Sequence, residues 1–223
     1  MLVLRSARLT EAGFEHAFAL REAADADLRR ALSVDVIVQV KQVHGARAVA
    51  ADDLPLAEAD AIVARGGRHV AVGVRVADCV PLLVGDEDSG DVAAIHAGWR
   101  GIVAGVVRAG VELLGGRNLV AAIGPCIGPC CFEVGLDVAE EIARASDAEH
   151  GALSQRGGKA YADLRSAVRA QLRALGVADD RIEDVPGCTK HDAVRFHSFR
   201  RDGRESGRML SAIATAGRRL SPS

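Results

Sequence analysis

Two histidines and one cysteine offer the clearest chemistry in this chain. His44 stands in Lys41-Gln42-Val43-His44-Gly45, after the β-rich run Val34–Val40. Cys79 stands in Ala77-Asp78-Cys79-Val80-Pro81, after the apolar run His69–Val76. His96 ends the apolar run Val92–Ile95 and precedes the small turn Ala97-Gly98-Trp99-Arg100-Gly101. Each therefore lies at the end of an apolar strand, beside Gly or Pro. Strand ends on one edge of a sheet converge in space. Two imidazoles and a thiolate suit Zn²⁺, with a fourth tetrahedral position left for water, which is the pattern of a catalytic rather than a closed structural site. Two His and one Cys also suit a blue-copper centre with a weak axial Met. The two Met residues, Met1 and Met209, are near none of the three in sequence.

The elements that must position these residues follow from patterning. Met1–Leu4 and Glu15–Leu20 read as strands, Arg21–Leu32 as a surface helix, and Val34–Val40 with Ala46–Ala50 as an outgoing and returning strand pair around His44. Ala59–Ala64 is a short strand with an acidic entry, where Asp60 reads as a turn or cap residue. Pro81 opposes regular pairing, so the next strand is expected to begin at Leu82. Ile102–Leu114 has helical spacing, which places a helix N-terminus, attractive to anions, beside His96. Asn118–Ile123 is a strand that runs into Gly124-Pro125-Cys126-Ile127-Gly128-Pro129-Cys130-Cys131, a thiol-rich loop that is neither helix nor plain strand. Cys126 and Cys130 are not at C-x-x-C spacing, so the spacing does not suggest a structural four-ligand zinc site, although either thiol could close the fourth position of the His–Cys–His set. Leu136–Ser146 and Ala162–Leu175 read as helices, Ser154–Lys159 as a mobile Gly-rich loop, and Ser206–Leu220 as a closing helix. Paired Arg200 and Arg201 beside Phe199 suit a phosphate or carboxylate contact.

Composition bounds the rest. The chain has 223 residues and 49% apolar residues but only 3% aromatics, so Val, Ala, Leu and Ile must fill the core. A formal net charge of -2 argues against a nucleic-acid-binding surface. No apolar run is long enough to span a bilayer. The N-terminus has no basic start followed by a long apolar core, and the five Cys show no disulfide-scaffold spacing. Cytoplasmic location with reduced thiols is the expectation.

The motifs KQVHG, ADCVP, HAGWRG, GPCIGPCCFEVG and FHSFRRDGRESGR, in this order from about Phe14 to the C-terminal end, resemble the laccase-domain family, also called the YfiH or multi-copper polyphenol oxidase family. The resemblance implies one domain over residues 1–223, an α+β fold with α/β-like alternation, and a mixed β-sandwich core flanked by helices. It implies zinc at His44, Cys79 and His96, with copper as the alternative. It further implies purine nucleoside phosphorylase activity on adenosine, inosine or methylthioadenosine with phosphate, and adenosine deaminase activity. Peptidoglycan-precursor editing and copper-dependent polyphenol oxidation are the alternatives. Where members carry a Thr-Arg pair and a Gly-rich, Ser-containing loop, this chain has Leu20-Arg21-Glu22-Ala23. On that reading Asp78 and Arg100 are candidate catalytic residues, Asp78 either protonating a leaving group or fixing a turn. Arg21, Arg100, Cys126 and Arg200 are candidate substrate contacts. Purine nucleosides and phosphate would be the partners of a monomer or weak homodimer, with no nucleic acid and no membrane.

Overall fold

The structure is a computed structural model and describes residues 2–52, 57–67, 69–146 and 152–216. Its strands are β1 (Val3–Leu4), β2 (His16–Ala19), β3 (Ile37–Val38), β4 (Ala48–Ala50), β5 (Ala61–Ala64), β6 (Ala71–Val76), β7 (Val80–Asp86), β8 (Val92–Ala97), β9 (Leu119–Ile123), β10 (Glu133–Val134), β11 (Leu153–Arg156), β12 (Lys159–Ala162), β13 (Ile182–Asp184) and β14 (Met209–Ala214). The helices are α1 (Ala7–Glu11), α2 (Asp25–Ala31), α3 (Trp99–Ala104), α4 (Val106–Leu114), α5 (Leu136–Ala145), α6 (Leu164–Ala174) and α7 (Phe199–Asp202). A five-stranded mixed sheet, β1-β2-β14-β6-β3, faces a six-stranded mixed sheet, β13-β9-β7-β8-β5-β4, and a third sheet, β10-β12-β11, stands beside them. The mixed sandwich flanked by helices is the architecture expected from the motifs.

Strands β5, β7, β8 and β9 of the six-stranded sheet are buried on both faces because both faces are covered. Alternation divides their side chains between two cores. Val80, Leu82, Val84, Ile95, Ala121 and Ile123 belong to the core shared with Ile102, Val106, Val107 and Val111 of α3 and α4. Leu83, Ala94 and Ala122 point the other way and pack with Val72, Val74 and Ile213 of the facing sheet. The outer face of that second sheet is covered by Leu28 and Leu32.

The register of this sheet gathers the chemistry at one end. β5 and β8 run antiparallel with Ala61 opposite Ile95, so Asp60, one residue before β5, arrives beside His96. β7 and β8 run antiparallel with Val80 opposite Ala97, which brings Cys79 to the same place. β4 lies parallel to β5, and the segment leading into it carries His44.

Several expectations are corrected. Residues 34–40 and 46–50 do not pair with each other: β3 joins β6 in the five-stranded sheet, while β4 joins β5 in the six-stranded one. The KQVHG stretch between them is thus a crossover from sheet to sheet. β7 begins at Val80, and Pro81 is accommodated at the second residue of the strand, opposite His96. The expected helix Ile102–Leu114 starts earlier, at Trp99, and is broken at Gly105, whose φ of 91° lies in the left-handed region. Ser154–Lys159 is no loose loop but the tip of the β11–β12 hairpin, turned by Gly157 and Gly158 with φ of 57° and 74°. Most informative is the C-terminal end. Residues 209–214 of the expected helix form strand β14, buried along its length between β2 and β6, while residues 217–220 lie outside the described residues. An apolar run of six residues fits either period, and only the vacant lane between β2 and β6 selects the strand.

Gly124 closes β9 directly beneath the site. A Cβ there would collide with the Phe18 ring and lie 2.7 Å from Pro81 Cγ. Gly124→Ala is expected to cost about 1–3 kcal/mol through overpacking. Thermal unfolding checks this as a drop in Tm of several degrees. An unchanged Tm would show that Phe18 and the Pro81 segment yield freely.

Candidate active site

His44, Cys79 and His96 each offer one ligand atom, and the three atoms lie within 4.8 Å of one another. The two imidazoles meet edge to face, with ring centroids 4.8 Å apart. Gly98 makes this approach possible, because a Cβ on it would stand 3.0 Å from Cys79 Sγ and 3.2 Å from His44 Cδ2. Among the described residues no fourth donor joins the group. Cys126 and Cys130 both lie elsewhere: Cys126 is fully buried, its Sγ 3.2 Å from Arg165 Nε, and Cys130 belongs to a different cluster.

One carboxylate organises the two histidines. Asp60 is completely buried. Its Oδ1 bonds His96 Nδ1 at 2.8 Å and accepts the His44 backbone N–H at 2.9 Å. Its Oδ2 accepts the N–H groups of Gly45, at 2.7 Å, and Val43, at 3.3 Å. The Asp60 carbonyl meanwhile accepts the His96 N–H at 2.7 Å. His44 adopts a φ of 61°, left-handed for a non-glycine residue, and the N–H bonds to Asp60 hold it there. With Nδ1 engaged, His96 is left with Nε2 for the cluster. Asp60, read from the sequence as a turn or cap residue, does hold a turn, but it also orients the His96 imidazole. The sequence signal was thin, an acidic residue at the mouth of a buried strand.

The electrostatics follow from this packing. Burial opposes ionisation of Cys79, yet hydrogen bonds from His44 and His96 outweigh it and bring the thiol down to about 6. Burial likewise disfavours a charged His96, but Asp60 and Cys79 beside it raise its pKa to about 9. For Asp60 too burial is outweighed, by the bond to His96 and the N–H groups of Gly45 and His44, and its pKa is lowered.

The three donors open into a cleft of about 730 Å³. Trp99, Phe132 and Phe199 supply aromatic surface to it, and Arg75, Arg100, Arg200 and Arg208 supply positive charge. Arg100 is exposed, stacks on Trp99 with its Cζ 4.4 Å from the ring centroid, and pairs with no carboxylate among the described residues. Arg200 is anchored through its backbone N–H, which donates to Asp78 Oδ2 at 2.6 Å, and its guanidinium donates to the Glu133 carbonyl at 2.7 Å. Asp78, with a φ of 89°, has its other oxygen bonded by the Thr189 hydroxyl at 2.5 Å. Arg75 bonds Gln39 and Asp25, so it is less free than Arg100.

Two candidate substrate contacts stand apart from this cleft. Cys126 lies behind its wall, with burial pushing the thiol up to about 12. Arg21 donates to the Ala193 carbonyl at 3.0 Å and lies beside Glu22. Both are absent from the cleft lining, as are Leu20 and Glu22 on either side of Arg21, whereas Ile127 next to Cys126 lines it. Trp99, Phe132, Arg75 and Arg208 line it without having been singled out for it, because only the fold brings their four segments together.

Comparison with known proteins places the chain in a family and among structures of the same fold. Residues 20–216 match the family model described as multi-copper polyphenol oxidoreductase laccase. A protein of Pseudomonas aeruginosa named purine nucleoside phosphorylase PA4543 is 40% identical over 177 residues, 77% of this chain and 71% of that protein. Another, adenosine deaminase RL5 from an unknown prokaryotic organism, is 36% identical over 200 residues, covering 82% of this chain and 76% of its own length. Among solved structures, YlmD from Geobacillus stearothermophilus superposes with a TM-score of 0.81 at 26% identity, covering 99% of this chain and 97% of that one. Neisseria meningitidis NMB0706 superposes with a TM-score of 0.78 at 29% identity, over 91% and 94% of the two chains. With a family match over most of its length, relatives of this similarity and the same fold, the chain belongs to the YfiH-like multi-copper polyphenol oxidoreductase laccase family.

Proposed function

We propose that this protein is a zinc-dependent purine nucleoside phosphorylase that also deaminates adenosine, with adenosine, inosine and methylthioadenosine as its nucleoside substrates. The observation that carries the reading is the three-donor cluster His44, Cys79 and His96, opening into a cleft that combines aromatic walls with arginines. The donor set fits zinc: two nitrogens and one sulfur close together, one imidazole backed by a buried carboxylate, and no fourth ligand among the described residues. It would equally take copper, but among the described residues no thioether lines the cleft to serve as the axial ligand of a blue-copper centre, Met209 being buried in β14. His44, Cys79 and His96 would hold the zinc, which would supply Lewis acidity there.

The chain's own residues do the rest. Trp99, Phe132 and Phe199 give a purine ring flat apolar surface. Arg100, stacked on Trp99 and unpaired with any acid among the described residues, presents a guanidinium fork to phosphate, with Arg200 and Arg208 adding positive charge. In phosphorolysis a phosphate oxygen bonds the anomeric carbon of the ribose. The C–N bond to the purine breaks with its electron pair on the base, which takes up a proton. In deamination water adds at the amine-bearing purine carbon and ammonia leaves. Asp78, with both carboxylate oxygens engaged by Thr189 and the Arg200 backbone, positions Arg200 rather than acting as the acid. Asp60 sets the ring of His96 and the turn of His44.

Zinc-loaded protein incubated with adenosine tests the reading by product mass. Adenine with ribose 1-phosphate is expected when phosphate is present, and inosine when it is absent. Neither product, from folded protein with zinc bound, would overturn the assignment.

Arg100→Ala is expected to slow phosphorolysis about ten- to hundredfold, the loss of one charge-assisted contact of roughly 1.5–3 kcal/mol. Deamination, which needs no phosphate, should fall much less. Equal losses across a phosphate titration would show that Arg100 serves the purine or the fold instead.

Asp60→Asn keeps the shape but places an amide NH₂ where N–H donors converge. Zinc affinity should fall roughly ten- to hundredfold, the usual effect of losing such a carboxylate partner, and activity should return at saturating zinc. Competition against a chelator reads the affinity. Unchanged zinc binding would remove Asp60 from its orienting role.

A further inference from the structure

A second set of donors lies outside the site described above. Cys130, Cys131, Cys188 and His191 each contribute one ligand atom, and all four atoms lie within 4.8 Å of one another. Cys130 Sγ is 3.7 Å from Cys188 Sγ and 3.3 Å from His191 Nδ1. Zinc–sulfur bonds of about 2.3 Å at tetrahedral angles put two sulfurs about 3.8 Å apart, and a sulfur and an imidazole nitrogen about 3.6 Å apart. The observed spacings are close to those of the edges of one coordination tetrahedron.

The backbone around the cluster is arranged independently of any ion. Cys130 and Cys131 sit in the loop after β9, where the N–H groups of Cys131 and Phe132 both donate to the Gly128 carbonyl. Cys188 and His191 come from the loop after β13, where the Asp192 N–H donates to the Cys188 carbonyl at 3.0 Å. The two loops are laced together by the parallel bridge between Cys126 and Cys188 and by the Thr189 N–H donating to the Cys126 carbonyl at 3.0 Å. Gly128 N–H points at Cys188 Sγ from 3.3 Å, the kind of amide–sulfur contact that supports a thiolate ligand.

We propose that Cys130, Cys131, Cys188 and His191 form a second metal site, a closed Cys₃His centre that binds Zn²⁺ and staples the two loops together. Four protein ligands leave no open position, so this ion is structural. One stapled loop carries the cleft residues Ile127 and Phe132, on either side of the Cys130–Cys131 pair, and in the other Thr189, next to Cys188, holds the cleft residue Asp78. Linear spacing hid the site, because one pair is vicinal and the other is C-x-x-H, some 58 residues further along the chain.

Metal analysis of the full chain, purified under reducing conditions and dialysed with zinc, tests the proposal. About two zinc ions per chain are expected, falling to about one in C130S/C188S. The single variant H191N, altered at an exposed side chain, should also lose or weaken one ion while keeping its fold. Cobalt(II) separates the two centres: the proposed site holds three of the four thiolates, so thiolate-to-cobalt absorption should fall to roughly a quarter in C130S/C188S. Zinc content and cobalt absorption that neither C130S/C188S nor H191N changes would overturn the proposal. So would a wild-type chain lighter by two hydrogens with Cys130 and Cys188 joined as a disulfide. Loss of one ion in C79S but not in C130S/C188S would leave the first site standing and remove the second. The reverse pattern would do the opposite.

Discussion

The carboxylate of Asp60 is the constraint on which the site depends. It is buried without exposed surface, a costly place for a negative charge unless hydrogen bonds compensate. Here they do: three consecutive backbone N–H groups and one imidazole converge on its two oxygens. The arrangement ties the crossover segment that carries His44 to the strand end that carries His96. Each would otherwise be free to point elsewhere, and His44 would not favour its left-handed backbone.

The sheet beneath makes this possible. β5, β7 and β8 are rigid because both faces are packed, one against α3 and α4 and the other against the second sheet. Their antiparallel registers bring Asp60, Cys79 and His96 to one end of the sheet. A slip of one residue would turn His96 to the opposite face and destroy the cluster, and the buried apolar alternation opposes such a slip. Small residues finish the job at the ends, Gly98 against Cys79 and His44, and Gly124 against Phe18.

Asp78 plays a parallel part on the other side of Cys79. Its carbonyl accepts the Ile127 N–H at 3.0 Å, and its two carboxylate oxygens hold Thr189 and the start of α7. Two segments of the cleft wall, at Ile127 and at Arg200, and the loop of Thr189 behind them are thereby fastened to the residue next to Cys79. Arg200 adds a further tie by reaching the Glu133 carbonyl and lying over Phe132. The cleft surfaces are thus held relative to the donor cluster by these hydrogen bonds and by the apolar core that Ile127, Phe132 and Trp99 share with Val80, Ile95 and Ala97.

The three donors were legible in the sequence because their cues are local: an apolar run that reads as a strand, ended by Gly or Pro, with an imidazole or thiol at the end. Such cues place a residue at a strand end, and strand ends tend to meet. The sandwich class came from the resemblance of the motifs to the family, and the alternation of short apolar runs with helical spacing agreed with it. The sequence did not determine which runs pair. The lane of β14 between β2 and β6, the separation of β3 and β4 into different sheets, and the place of Asp60 beside His96 all depend on contacts between residues distant in the chain. So does the meeting of Cys130 and Cys131 with Cys188 and His191. Register and loop docking are set by burial and hydrogen bonding summed over the folded whole, and no local spacing encodes that sum. The sequence by itself determined the types of donor and their strand-end positions. The tertiary structure decided which donors meet and which carboxylate orients them.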